Sequence, residues 1–344
     1  MLRHIDLFTG ICGFTLALQN VSTPIAYCDK SDHSQKVIRK NIQTGVLHDA
    51  RIYQDLEDIL QHKRHVLSQK PHIITAGFPC VDISVANVNG KGLEGDVSGP
   101  LFFDMLRLID ALGSSIQCVF LENSSAIMKR GYDILEQEFK NRGFQVEWTI
   151  LQATDVGAYH RRKRWYCLCW RKHGRFTNLF SPNNVIIPYQ TIFDGYDWEK
   201  IHTLPRIISR MDENHSRTRK RLMLLGNALV PQCAMLAWNC LWMRMFDSQY
   251  VYQKRIKSTH LHMSDGRTSF TKNLWATPTH HTWCIFDRIS SPRCHTLLPI
   301  QLYYEKNTHV NEGKSKSRQS KEYDCNPTFV ETLMGFPLGW TDLP

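Results

Sequence analysis

A mostly parallel α/β sheet is the fold class this sequence predicts. Short apolar runs alternate with stretches of helical spacing through the first half of the chain, and several of the runs end directly in a glycine, proline or acidic loop. The chain is also large enough: 344 residues, 42 % hydrophobic and 22 % charged, can bury a substantial core and are not the composition of a disordered chain.

His4 to Phe8 reads as a strand running into the glycine loop Gly10-Ile11-Cys12-Gly13, after which Phe14 to Gln19 opens a helix. Ala26-Tyr27-Cys28 closes the next strand and is followed by Asp29. Ser31 to Ile42 sets Val37, Ile38 and Ile42 on one helical side, His72 to Ala76 is a buried strand, and Leu101, Phe102, Met105, Leu106, Ile109 and Leu112 keep helical spacing. Gln117 to Leu121 is a further strand. Ile134, Leu135 and Phe139 mark a helix that Gly143 can end, and Phe144, Val146, Trp148 and Ile150 alternate as strand residues do. Trp165 to Trp170 is a last strand. Such repeated units place ligand sites at the carboxyl ends of the strands.

Regularity weakens after about Trp170: segment 174–216 is mixed, and Leu222 to Phe246 holds a glycine turn and an apolar helix with Leu236, Cys240 and Met243. Beyond Asp247 basic, aromatic and histidine residues replace periodicity, and 311–322 reads as an exposed polar loop. The formal charge of +10 favours a polyanionic partner. No apolar run approaches the roughly 18 to 20 residues that span a bilayer, so no membrane association is expected. Eleven scattered cysteines, an odd number without a C-x-x-C pair, and a charged start at Arg3, His4 and Asp6 predict an intracellular, reducing compartment and no secretion. Cys167 and Cys169 with His173 can be drawn as zinc ligands, but alternate faces of a strand is the favoured reading and no metal is expected.

Several loops carry residues able to do chemistry, each with an ordinary alternative. The Asp6 to Phe14 loop has the form of a cofactor turn, or of a plain strand-to-helix turn; Asp29 could hold ribose hydroxyls, or merely open a helix. Cys80 in Gly77-Phe78-Pro79-Cys80 follows a buried strand and could be a nucleophile, although a lone cysteine is more often a small buried hydrophobe. Glu122 in Leu121-Glu122-Asn123 could be a general acid or a solvated carboxylate. The cluster His160 to Arg164 could contact an anion or form a solvated turn.

Taken in order, these segments together with Leu225-Gly226-Asn227-Ala228-Leu229-Val230-Pro231 resemble the cytosine-5 DNA methyltransferases, over about residues 4 to 236 and with phage- and large-virus-like features. The resemblance implies a Rossmann-like, S-adenosylmethionine-dependent methyltransferase sheet with a smaller, irregular DNA-recognition region. It implies Cys80 as the nucleophile, Glu122 at ring nitrogen 3, and Arg162 and Arg164 orienting the base. It also implies Phe8, Gly10, Gly13, Asp29, Asp49 and Asn227 around S-adenosyl-L-methionine, and duplex DNA as the substrate of a monomeric enzyme that either accompanies a separately acting restriction endonuclease or protects viral DNA. A tRNA cytosine-5 methyltransferase and a catalytically silent DNA-binding homologue are the competing expectations.

The departures are Cys12 for a glycine, Val81 for the usual glutamine, Ser124 for valine and His160 for glutamine. Order differs too. The family usually sets its recognition region and a further motif before the Gly-Asn-Ala segment, whereas here Ser290 to Thr296 and Phe329 to Trp340 resemble that motif and follow it. The expected division is a catalytic and cofactor domain at 1–175, a connecting segment at 176–216, a return segment at 217–247 and a recognition region at 248–344. In that region Lys254, Arg255, Lys257, Arg267, Lys272, Arg288 and Arg293 lie among Trp275, Trp283 and Phe286, and Arg206, Arg210, Arg217, Arg219 and Arg221 form a second basic stretch able to track a phosphate backbone.

Overall fold

The computed structural model describes residues 1–84, 87–171, 179–209, 215–246 and 323–343. Seven strands share one sheet: β1 (Leu2–Leu7), β2 (Ser22–Cys28), β3 (Arg51–Tyr53), β4 (Ile73–Ala76), β5 (Cys118–Ser124), β6 (Phe144–Gln152) and β7 (Lys163–Arg171). Their spatial order is β3-β2-β1-β4-β5-β7-β6. β1 to β5 are parallel, and β7 is inserted antiparallel between β5 and β6. The order reverses between β1 and β4, where the outgoing loops diverge and leave a crevice at the carboxyl ends.

The helices α1 (Gly13–Leu18), α2 (Asp32–Gln43), α3 (Leu56–Gln61), α4 (Lys63–Ser68), α5 (Ser98–Leu112) and α6 (Tyr132–Asn141) connect these strands. α2 starts where Ser31 accepts the Ser34 amide at 3.3 Å, and it buries Val37 and Ile38. Two apolar layers cover the sheet. One contains Phe14, Phe120, Tyr166, Trp238, Trp242 and Trp340; the other contains Ile5, Ile74, Phe102, Phe139 and Trp165. β1 and β4, covered on both faces, are therefore nearly continuous runs of buried side chains.

After β7 come the short α7 (Pro182–Val185) and α8 (Tyr189–Phe193), strand β8 (Ile207–Ser209), and the longer α9 (His215–Asn227) and α10 (Pro231–Phe246). The described chain ends with β9 (Tyr323–Cys325), antiparallel to β8, and α11 (Pro327–Leu333). Phe180, Ile187, Ile192 and Ile201 enter the first apolar layer, as do Phe329, Met334 and Trp340. Both stretches thus pack on the same apolar layer as the sheet. Their apolar residues are irregularly spaced, which hid the packing from periodicity. The basic and aromatic residues from Lys254 to Arg293, Ser290 to Thr296, Arg210 and His173 lie outside the described residues.

Two other expectations change. The stretch Ser216–Phe246 is long and apolar enough to cross a membrane by length and composition, but 89 % of its apolar window is buried inside the fold. Cys167 and Cys169 do not occupy alternate faces: two residues apart on β7, they share one face with Sγ atoms 3.6 Å apart. Among the described residues no group of three or more His, Cys, Asp or Glu could hold a metal ion.

Candidate active site

The loop after β4 carries Cys80, half-buried, at the carboxyl edge of the sheet. The Cys80 carbonyl accepts the amides of Ile83 (3.0 Å) and Ser84 (2.8 Å), so a tight turn begins at Cys80 itself. Asn123 on β5 donates to the Phe78 carbonyl at 3.0 Å and ties this loop to the neighbouring strand. Asp82 accepts the Val97 and Ser98 amides at 2.9 and 2.8 Å at the start of α5. Neither role was legible from sequence; for Asn123 the one signal was its place beside Glu122.

Glu122 projects from β5 and is almost fully buried. A Cβ added at Gly77 would stand 3.5 Å from Glu122 Oε2, which shows how closely the carboxylate approaches the Cys80 loop. Ser124 faces Arg164 across the antiparallel β5/β7 pair, so Arg164 is the diagonal neighbour of Glu122 on one face, and its Nε reaches Glu122 Oε1 at 3.0 Å. Arg162, two residues earlier, is buried and donates to the Gly226 carbonyl at 3.0 Å.

These groups tune one another. Burial pushes the Glu122 carboxyl above its ordinary value, and the charges of Arg164 and Arg162 oppose the rise. Burial also pushes the Cys80 thiol up, helped by the negative charge of Glu122 and again opposed by Arg164 and Arg162. Arg162 is pulled down to about 9 by burial and then by repulsion from Arg164, and it stays protonated at neutral pH. A thiol, a carboxyl biased toward its neutral form and two guanidinium groups therefore converge at one strand edge, where a nucleophile and a proton donor can work on the same ring.

The first glycine loop lies at the carboxyl end of β1. Gly10 (φ 56) is in left-handed backbone, and so, unusually, are Phe8 (φ 51) and Cys12 (φ 66). Thr9 pins the loop to both strands, donating from Oγ1 to the Asp6 carbonyl at 2.6 Å and accepting the Cys28 amide at 3.0 Å. Asp29 accepts the Gly10 amide (2.7 Å) on one oxygen and the Ser31 amide (2.8 Å) on the other. Burial raises its carboxyl while those amides hold it down. Two amides and the Ser34 hydroxyl still leave lone pairs on an ionised carboxylate able to accept hydroxyl groups. Gly13 is crowded by the segment before α10: a Cβ there would be 2.8 Å from Leu229 Cγ, so Gly226 to Val230 returns beside the first loop with Asn227 exposed. Asp49 is exposed in the loop two residues before β3, and this loop is tied to β2 by the Tyr27 hydroxyl, which donates to the His48 carbonyl at 3.0 Å. The sheet thus brings Phe8, Gly10, Gly13 and Asp29 together, whereas Asp49 precedes its strand rather than following it.

The segment after β9 braces both halves of the site. Trp340 Nε1 donates to the Ile11 carbonyl at 2.8 Å, behind the glycine loop, and Asn41 and Lys40 donate to the Trp340 and Gly339 carbonyls at 3.2 and 2.8 Å. His160 Nε2 donates to the Leu333 carbonyl at 3.0 Å while Nδ1 accepts the Arg162 amide at 3.2 Å. Glu331, wholly buried, accepts the Thr341 and Gly339 amides and pairs with Arg221 at 3.2 Å. Arg221 is therefore structural and drops out of the basic stretch expected to track a phosphate backbone.

The strand order, with an antiparallel strand inserted next to the edge, defines a methyltransferase-type α/β sheet, and Cys80, Glu122 and Arg164 gather at its strand ends. The family described as C-5 cytosine-specific DNA methylase matches residues 2–341, and the chain belongs to that family. It is 28 % identical over 249 residues to type II methyltransferase M.CviJI of Paramecium bursaria Chlorella virus IL3A, covering 72 % of this chain and 61 % of the relative. It is 30 % identical to type II methyltransferase M.HhaI of Haemophilus parahaemolyticus over 186 residues, 53 % of each chain. The chain thus spans less than two thirds of either relative. Among solved structures, the S. pombe Dnmt2 methyltransferase aligns with a TM-score of 0.41 and 15 % identity, covering 63 % of this chain and 67 % of that one.

Proposed function

We propose that the chain methylates carbon 5 of a cytosine flipped out of duplex DNA, with S-adenosyl-L-methionine as methyl donor. The observation that carries this reading is the convergence of Cys80, Glu122 and Arg164 at adjacent strand ends, with the Glu122 carboxylate held 3.0 Å from Arg164. Phe8, Gly10, Gly13, Asp29, Asp49 and Asn227 are the residues assigned to S-adenosyl-L-methionine, which supplies an electrophilic methyl when bound. A loop with no side chain at Gly10 or Gly13, tied to an acid with spare acceptor capacity, suits a nucleoside with free hydroxyls.

The Cys80 thiolate adds to carbon 6 of the ring, forming a carbon–sulfur bond and moving an electron pair onto carbon 5. Glu122, biased toward its protonated form, donates to ring nitrogen 3 and stabilises the charge that addition places in the ring. Arg164 keeps Glu122 in place, and Arg162 and Arg164 favour the thiolate. Carbon 5 is then electron-rich enough to take the methyl group, which would leave S-adenosyl-L-homocysteine; transfer of the carbon-5 proton to water and departure of Cys80 as thiolate restore aromaticity. A stacked base is out of reach of this site, so the cytosine must leave the helix. Target recognition is proposed for the region 248–344, whose basic and aromatic residues suit phosphate contacts and stacking. The nine described cysteines are all free thiols, and a reducing compartment would keep Cys80 active.

Expression in a methylation-free host with mapping of 5-methylcytosine, beside a Cys80→Ser control, tests the reading. Marks at a fixed short sequence that vanish in the control support it. Transfer of label to tRNA instead, or S-adenosyl-L-methionine binding without marks, would overturn it.

A further inference from the structure

The segment that carries Glu122 runs on to Arg130, and this side chain reaches back into the Cys80 loop. Arg130 Nη1 lies 2.9 Å from the Ser84 carbonyl and 2.8 Å from the Asn87 carbonyl, with Ile83 O at 3.5 Å. Ile83 and Ser84 are the residues whose amides hold the Cys80 carbonyl, so one guanidinium grips the turn that begins at the nucleophile. The main chain joins in: Leu93 donates to the Arg130 carbonyl at 3.0 Å. Glycines permit the fit, because a Cβ at Gly92 would lie 1.9 Å from the Arg130 carbonyl oxygen and one at Gly131 would lie 2.6 Å from Leu93 Cγ.

Resting on the reading of Cys80 as nucleophile, we propose that Arg130 is a positioning residue that clamps the Cys80 loop against the end of β5 and so fixes Cys80 relative to Glu122. The chemistry favours arginine for this. The two N–H groups of one permanently charged nitrogen, Nη1, match the two close carbonyls of Ser84 and Asn87, and charge-assisted bonds are about twice as strong as neutral ones. Lysine has three donors but a shorter, more flexible stem, and would hold the pair less firmly. Methionine would fill the space and hold none. Neither the thiol nor the carboxyl touches Arg130 in the structure, so its effect passes through the backbone of the loop.

The test compares wild type with Arg130→Met and Arg130→Lys. In the free protein, the rate of Cys80 alkylation by iodoacetamide, followed by mass spectrometry of the Cys80 peptide, should rise at least fivefold in Arg130→Met and by less in Arg130→Lys. Hydrogen exchange at the Ile83 and Ser84 amides should quicken while the amides of β1 and β2 keep wild-type rates. In methyl transfer to DNA, kcat should fall at least tenfold with KM for S-adenosyl-L-methionine unchanged within twofold. Wild-type alkylation and exchange in Arg130→Met would overturn the proposal. So would a uniform quickening of exchange throughout the sheet in both variants, which would make Arg130 a general fold determinant. Alkylation and exchange need neither DNA nor turnover, so a failure of the methylation reading leaves this outcome separately visible.

Discussion

The Arg221–Glu331 pair joins α9 to α11, and Glu331 in turn holds the Gly339 and Thr341 amides of the segment that follows, so removing one partner at a time should expose how firmly that segment is docked. Glu331 is fully buried and Arg221 nearly so, with 3.2 Å between their charged atoms. Breaking a buried pair by deleting one member costs about 3–5 kcal/mol, because the survivor is stranded. Arg221→Met leaves Glu331 with the Gly339 amide, the Thr341 amide and the Thr341 hydroxyl as donors, so its cost belongs at the lower end, about 3 kcal/mol. Glu331→Leu strands Arg221 with the Thr341 hydroxyl and the exposed Asp342 carboxylate, and also orphans two buried amides; about 5 kcal/mol is expected. The double variant has no stranded charge and should be no worse than Glu331→Leu alone, a coupling of about 3 kcal/mol. Urea unfolding at pH 7 measures all three. Because Trp340 in the same segment holds the Ile11 carbonyl, affinity for S-adenosyl-L-methionine, measured by calorimetry, should fall in both single variants. Costs below about 1 kcal/mol, or additivity within about 0.5 kcal/mol, would refute the reasoning.

Three further outcomes are expected. Alkylation of Cys80 should titrate above the roughly 8.5 of an ordinary thiol, with Glu122→Gln lowering the midpoint and Arg164→Met raising it; a midpoint indifferent to both would contradict the coupling. Gly13→Ala should lose about 1–3 kcal/mol and weaken cofactor binding, since the new methyl meets Leu229 at 2.8 Å, and adding Leu229→Ala should recover part of both; a thermally unchanged Gly13→Ala would refute the crowding. Asp6, buried, is raised to about 7, held down from a higher value by the Thr75 and Thr15 hydroxyls. Its folded value exceeds the unfolded one near 3.9, so its stabilising proton is lost as pH rises from about 4 through 7. Thr75→Val pushes Asp6 further up, and the stability deficit against wild type in urea melts should be flat below about pH 6 and grow as pH rises past about 7, toward about 1.5–3 kcal/mol. A deficit constant with pH would argue against it.

Much of the sheet could be read ahead of the structure, because buried parallel strands are short apolar runs and their loops begin with conspicuous residues. His72 to Ala76 and Gln117 to Leu121 were placed within a residue or so at their starts, and Cys80 and Glu122 followed from them. The three-residue β3 was invisible, since Arg51-Ile52-Tyr53 is too short for any period. The site's electrostatics were equally hidden: that Arg164 pairs with Glu122 depends on the β5/β7 register, which no local pattern encodes. Arg221 looked like one of several surface cations. Only the approach of Glu331, 110 residues later, shows that it is buried.

The docking of Asp342 has a consequence for how such a chain is assembled. Its carboxylate lies 3.3 Å from Arg217 and 3.4 Å from Arg221, in the first two turns of α9, so the far end of the described chain comes back to where that helix starts. A polypeptide running from this point directly into α9, in the motif order usual for the family, would need only a short connector to build the same core. Loop-closure entropy depends weakly on length, about 0.6 kcal/mol per doubling, so the number of residues that join Phe246 to Tyr323 weighs little on this core. Gene rearrangement can therefore relocate the intervening stretch without disturbing the residues around Cys80.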